Sequence, residues 1–149
     1  MITLQPITDE NREAVEALAV APGQERFVSD VRESMRQAAA EPGAQAIQWA
    51  VVDDEQPVGF VMIADEVTGI EYLPHFLWKL LIDQRYQRHG YGTATLDLIV
   101  AYFRDRGVDA MITSAGQGEG SPIPFYERYG FVRTGEELGG EVVLRFEIS

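Results

Sequence analysis

Residues 87–92, QRHGYG, set two glycines two positions apart directly behind three donor-rich side chains, and Thr93 adds a hydroxyl. Downstream, Leu96, Ile99, Val100 and Phe103 fall at i, i+3, i+4 and i+7. That spacing predicts a helix from about Gly90 to Arg106, with Gly107 as its stop. The first N–H groups of such a helix have no intrahelical partner, and the helix dipole adds positive charge there. Glycines at 90 and 92 carry no Cβ, so an anion can approach the backbone. Gln87, Arg88 and His89 supply further donors, and Tyr91 lies between the glycines. This is the composition of a phosphate cradle, sized for a diphosphate. A dinucleotide fingerprint wants a third glycine after the first strand, and a P-loop wants a lysine, so both fit less well. An ordinary strand–helix turn, with its glycines needed only for conformation, accounts for the spacing equally well.

The elements that would position this turn follow from periodicity. Residues 2–7 alternate as a strand. A helix is expected from Thr8 or Asp9 to about Val20, broken at Pro22-Gly23. A second is expected from about Gln24 to Glu41, with Phe27, Val31, Met35 and Ala38 on one stripe. Strands at 46–52 and 58–65 form a hairpin around the turn at 53–57. A third strand follows at about 76–82, apolar on both faces near its end and therefore central. After the helix come a strand at 108–114, a flexible loop at 115–122 and a short helix at 122–130. Two last strands meet at Gly139-Gly140. The order is β-α-α-β-β-β-α-β-α-β-β, a single α/β domain over residues 1–149. It has one mixed sheet with helices on both faces, and its strands at 76–82 and 108–114 are parallel.

Composition narrows the function classes. The chain has 149 residues, 46% hydrophobic, and no cysteine, so disulfides and cysteine nucleophiles are excluded. The only histidines, His75 and His89, have no partner spacing for a metal or a triad, so no metal is expected. No signal peptide and no membrane-length apolar run is present, which predicts a cytoplasmic protein without a membrane partner. A net charge of −12 argues against nucleic acid and suits a cationic small molecule. The composition leaves room for a homodimer.

The stretch QRHGYG resembles the Q/R-x-x-G-x-G/A signature of the GNAT superfamily of N-acetyltransferases, which binds the pyrophosphate of acetyl-CoA. PFYERYGFVRTGE (124–136) is similar to that superfamily's later aromatic-tyrosine motif. The predicted element order matches its fold from end to end. WKLLIDQRYQRHGYG and QERFV look closest to the bacterial spermine/spermidine (diamine) acetyltransferases. The resemblance implies acetyl-CoA as co-substrate and direct acetyl transfer to a primary amine. It implies that Leu80, Leu81 and Ile82 offer backbone to the pantetheine arm. Gln87, Arg88, His89, Gly90, Tyr91, Gly92 and Thr93 would hold the diphosphate. Tyr126 takes the position of the general acid, since a phenol of pKa about 10 can return a proton to a thiolate.

Two departures stand out. Trp78 and Lys79 occupy the strand where some relatives carry a carboxylate base, and Glu119 stands where many carry a cofactor-contacting asparagine. The acceptor entrance in this fold is formed by the first two helices and the loop at 65–75. Those segments hold Glu25, Asp30, Glu33, Asp65, Glu66 and Glu71. Separated carboxylates beside Phe27 and Tyr72 would suit a polyamine, with Glu25, Phe27, Glu71 and Tyr72 as its expected contacts. The alternatives are acetylation of a protein lysine or N-terminus, and a catalytically silent CoA-binding regulatory module.

Overall fold

The computed structural model describes residues 1–65 and 75–148. Its strands are β1 (Ile2–Pro6), β2 (Ala46–Asp53), β3 (Gln56–Ala64), β4 (Phe76–Ile82), β5 (Ala110–Ala115), β6 (Val132–Leu138) and β7 (Glu141–Glu147). The helices are α1 (Arg12–Glu16), α2 (Val31–Ala40), α3 (Tyr91–Asp105) and α4 (Ile123–Tyr129). They follow the expected order in one mixed α/β domain. The sheet runs β1-β2-β3-β4-β5-β7-β6, and of these pairs only β4–β5 is parallel.

The sheet is two-faced because β3 is buried along most of its length. Its Val61 and Ile63 pack with Leu96, Ile99 and Phe103 of α3 on one face. Phe60 and Met62 pack with Val15, Leu18 and Val31 from the α1 and α2 side on the other. Strand residues alternate between the two cores, as the period of two requires. β2 and β3 join through Asp54 and Glu55, both at positive φ (45° and 74°). Two consecutive left-handed residues make the turn that matches strand twist, here without glycine.

Both early helices are shorter than the periodicity predicts, each for a local reason. α1 closes with Ala17 and Leu18 bonding back to Glu13 and Val15, and it does not run on to Val20 because the backbone of Ala19 is claimed elsewhere. The Ala19 N–H donates to Asp83 Oδ2 (2.9 Å), and the Ala19 carbonyl accepts from the Gln84 N–H (2.8 Å). α2 starts at Val31, not near Gln24, because Asp30 is its cap: the carboxylate accepts from the Glu33 N–H at 2.8 Å. Phe27 therefore lies before the helix rather than on its stripe. Asp83 also accepts from the backbone and side chain of Arg85 (2.9 and 2.8 Å). One buried carboxylate thus ties α1's exit to the end of β4, just before residues 87–92.

Candidate functional site

β4 and β5 begin as neighbours and then separate. Their parallel register contains only Phe76–Ile112 and Leu77–Thr113, whereas β4 stays paired with β3 as far as Ile82. The β3–β4 ladder shifts between Met62 and Ile63, where Trp78 is the extra residue. A bulge of this kind sharpens local twist and turns a strand from its neighbour. β5 meanwhile pairs with β7 through Ala115. The separation opens a cleft of about 570 Å³ between Leu80 and Ile82 on one wall and Thr113 and Ser114 on the other. Leu81 points away, buried against Phe60's core.

At one end of the cleft sits the N-terminus of α3. The first helical bond runs from the Ala94 N–H to the Gly90 carbonyl (3.0 Å), so the N–H groups of Tyr91, Gly92 and Thr93 precede any helical acceptor. The two glycines are required for different reasons. Gly90 has φ +80°, and a Cβ there would meet nothing within 4 Å, so its need is conformational. At Gly92 a Cβ would lie 3.0 Å from Cζ of Phe125, so that glycine lets α4 approach α3. The side chains divide likewise. Gln87 Nε2 donates to the Ile82 carbonyl (2.9 Å) and to Gln24 Oε1 (2.8 Å). Tyr91 donates its hydroxyl to Asp53 Oδ2 (2.6 Å), which together with burial raises its phenol above the ordinary value. His89 is exposed and stacks on Tyr91 at 5.9 Å, outside the cleft lining. Arg88, Thr93 and the helix N–H groups remain as donors at this end.

Tyr126 closes the middle of the cleft. Its side chain is buried between Phe125 and Phe131 (ring centroids 5.4 and 5.2 Å), and its hydroxyl bonds with Thr113. Burial pushes its phenol up to about 12, with the charge of Glu141 adding to the rise and the Thr113 bond opposing it. At neutral pH it is a proton carrier, not a base. Tyr129, on the same helix, instead donates to Asp97 at 2.7 Å and packs on Phe146.

The far side of the cleft is formed by Phe27, Val28, Trp78 and Lys79. Phe27 packs on the loop before α4, where a Cβ on Gly116 would touch it at 3.5 Å. Lys79 Nζ donates to Ser29 Oγ at 3.3 Å. Burial lowers its ammonium below the ordinary lysine value, against the pull of Glu141 and Glu33. Among the described residues no aspartate or glutamate lines the cleft. Glu25 is exposed and accepts from the Gly23 N–H, Glu33 pairs with Arg36, and Asp65 pairs with Arg106 (2.9 Å). Glu66, Glu71 and Tyr72 lie outside the described residues. Thr113 and Ser114 are cleft residues that the sequence reading did not single out. Their signal is alternation along β5, which sends Thr113 toward α4 and Ser114 to the opposite face.

The acetyltransferase (GNAT) family model matches residues 12–131. The uncharacterized N-acetyltransferase YafP of Escherichia coli (strain K12) is 32% identical over 88 residues, 59% of this chain and 47% of YafP. The matched stretch thus spans about half of that relative's length. Among solved structures, PaiA N-acetyltransferase from Thermoplasma acidophilum in complex with coenzyme A superposes with a TM-score of 0.70 at 13% identity, covering 99% of each chain. The ribosomal-protein-S18-alanine N-acetyltransferase of Escherichia coli superposes with a TM-score of 0.66 at 17% identity, covering 100% of this chain and 95% of that one. At these identities the two structures speak to the fold.

Proposed function

The chain belongs to the acetyltransferase (GNAT) family, and from that premise we propose that it moves the acetyl group of acetyl-CoA directly to a small primary amine in the cleft between β4 and β5. The observation that carries this reading is the opening of β4 from β5, with the N-terminus of α3 at one end and the Tyr126 hydroxyl within it. Acetyl-CoA supplies an activated thioester when bound. The donor set suits it: unpaired helix N–H groups with Arg88 and Thr93 for the diphosphate, and a β4 edge without a β5 partner for the pantetheine amides. Gln87 and Tyr91 act by holding the turn rather than by reaching the anion. Backbone near Leu81 or Ile82 polarises the thioester carbonyl, and Tyr126 donates a proton to the departing sulfur.

A polyamine is the acceptor suggested by the net charge of −12. It predicts a kcat/KM for spermidine above that for an amino acid, falling as salt shortens the Debye length from about 10 Å at 0.1 M to about 3 Å at 1 M. The absence of carboxylates from the described lining favours a second reading, a peptide N-terminus, whose single amine needs no row of acids. One panel tests both readings: spermidine, ethylamine, trifluoroethylamine, a lysine peptide and a peptide with a free N-terminal alanine. CoA thiol release is followed and products are identified by mass. Acetylation of spermidine or another small amine supports the proposal, and a peptide as the only acceptor favours the second reading. Binding of acetyl-CoA without acetylation of any amine contradicts it.

A further inference from the structure

An acceptor amine must shed a proton before it can attack, and the described cleft offers no carboxylate to take it. At a lysine-like pKa of about 10.4, freeing the amine near neutral pH costs roughly 4 kcal/mol, at 1.36 per unit. Arg88 and Arg128 on the lining have no acceptor atom to offer, and Lys79 Nζ is already bonded to Ser29 Oγ. Tyr126 is itself held protonated. Ser114 is different. It lies on β5 opposite Val143 of β7, its side chain on the cleft wall, and its Oγ is 2.7 Å from Glu141 Oε1. An ionised carboxylate only accepts, so the serine hydroxyl is the donor in this bond. Its proton is committed to Glu141, and its lone pairs are left to accept from whatever enters the cleft. Glu141 is the first residue of β7, half-buried, behind the serine.

We propose that Ser114 and Glu141 form a relay that removes the ammonium proton of the acceptor. This rests on the acetyltransferase reading above. The acceptor N–H bond breaks as a bond forms to Ser114 Oγ. The serine's own proton passes to Glu141 Oε1, leaving a neutral amine, a neutral serine and a protonated carboxyl that exchanges with solvent. Later, Tyr126 gives its proton to the sulfur and recovers one from the acylated nitrogen. Overall, one ammonium and one thioester give one amide, one thiol and one released proton. Ser114 of β5 is the group bonded to Glu141, and the Glu141 charge also reaches Lys79 of β4 and Tyr126 of α4. Its charge favours the protonated form of both. Ser114 is the residue that touches the acceptor, and Glu141 acts through it.

The bland reading is a hydrogen bond that merely joins β5 to β7. Amines of different basicity separate the two, because a relay is needed only where a proton must be removed. Glu141→Gln, Ser114→Ala, the double variant and Glu141→Asp are assayed on the amine panel above at saturating acetyl-CoA. The relay predicts that each single variant loses about 10²-fold in kcat/KM on the most basic amines turned over. It predicts a loss below about threefold on trifluoroethylamine, which is already neutral at assay pH. The double variant should be no worse than either single one, because residues acting as a unit are not additive. Glu141→Asp should recover part of the rate, and affinity for acetyl-CoA should not move. Equal losses on all amines, or none, overturn the relay while leaving an active acetyltransferase. A wild-type protein inert toward every amine overturns the functional reading, and the relay with it.

Discussion

Replacing Tyr126 with phenylalanine keeps the ring between Phe125 and Phe131 and removes one oxygen. The hydroxyl's value of about 12 lies about five units above neutral pH, so roughly one molecule in 10⁵ is ionised there. The group therefore always carries the proton it is to give. Loss of a positioned acid costs about 10²-fold to 10⁴-fold, or about 3–5 kcal/mol in the barrier. The structural cost is smaller. Thr113 Oγ1 still donates to the Leu77 carbonyl at 2.9 Å, so no buried donor is stranded. One lost hydrogen bond is worth about 1 kcal/mol, or about 2–4 °C in Tm for a domain of this size. The expected result is a kcat lower by at least about 10², an unchanged Kd for acetyl-CoA by calorimetry and a Tm shift of a few degrees. A folded Tyr126→Phe protein with kcat within twofold of wild type would make Tyr126 a packing residue and not the proton donor.

Other expectations follow from the turn and its anchor. Gly90→Val places a β-branched residue at φ +80° and should cost several kcal/mol by strain, whereas Gly90→Asn, which tolerates that region, should stay folded and bind acetyl-CoA. Gly92→Ala gains about 1 kcal/mol of helix propensity but presses on Phe125 at 3.0 Å. Its Tm should therefore change little while calorimetry reads weaker acetyl-CoA binding. Burial pushes the Asp83 carboxyl up, but the Arg85 and Ala19 hydrogen bonds and the Arg85 charge outweigh it and hold the group below its ordinary value. A depressed carboxylate stabilises the fold above its unfolded pKa of about 3.9, and that stability is lost as pH falls through the folded value. Asp83→Asn should thus lower Tm at neutral pH, and the gap from wild type should close below about pH 4, read by thermal melts across pH.

The element order was legible because each segment carries a strong period, and the glycine turn announced the start of α3. The bounds of α1 and the start of α2 differ from the periodicity, although Asp30 and Glu33 are a capping pair in plain sequence. Apolar spacing continued through Phe27 and masked that cap. Nothing local could say that Ala19 would bond to Asp83, a contact across 64 residues. The glycine motif gave the place of the turn but not its division of labour. Gln87 and Tyr91 spend their donors on Ile82 and Asp53, which only the closed fold brings near. The carboxylates expected at the acceptor entrance rest on the resemblance and on the excess of acids, and Glu66 and Glu71 lie outside the described residues. Counting cannot tell a cleft residue from a helix cap such as Asp30, or from an ion-pair partner such as Asp65 with Arg106.

Direct transfer within the β4–β5 cleft is tested most plainly by mixing stoichiometric enzyme with acetyl-CoA, first without and then with the best amine of the panel. Mass spectra of protein and products are read at both stages. Direct transfer leaves the enzyme unmodified before the amine is added, then gives one acetylated amine for each CoA released. Acetylated enzyme at the first stage, or CoA released at the second without acetylated amine, would contradict it.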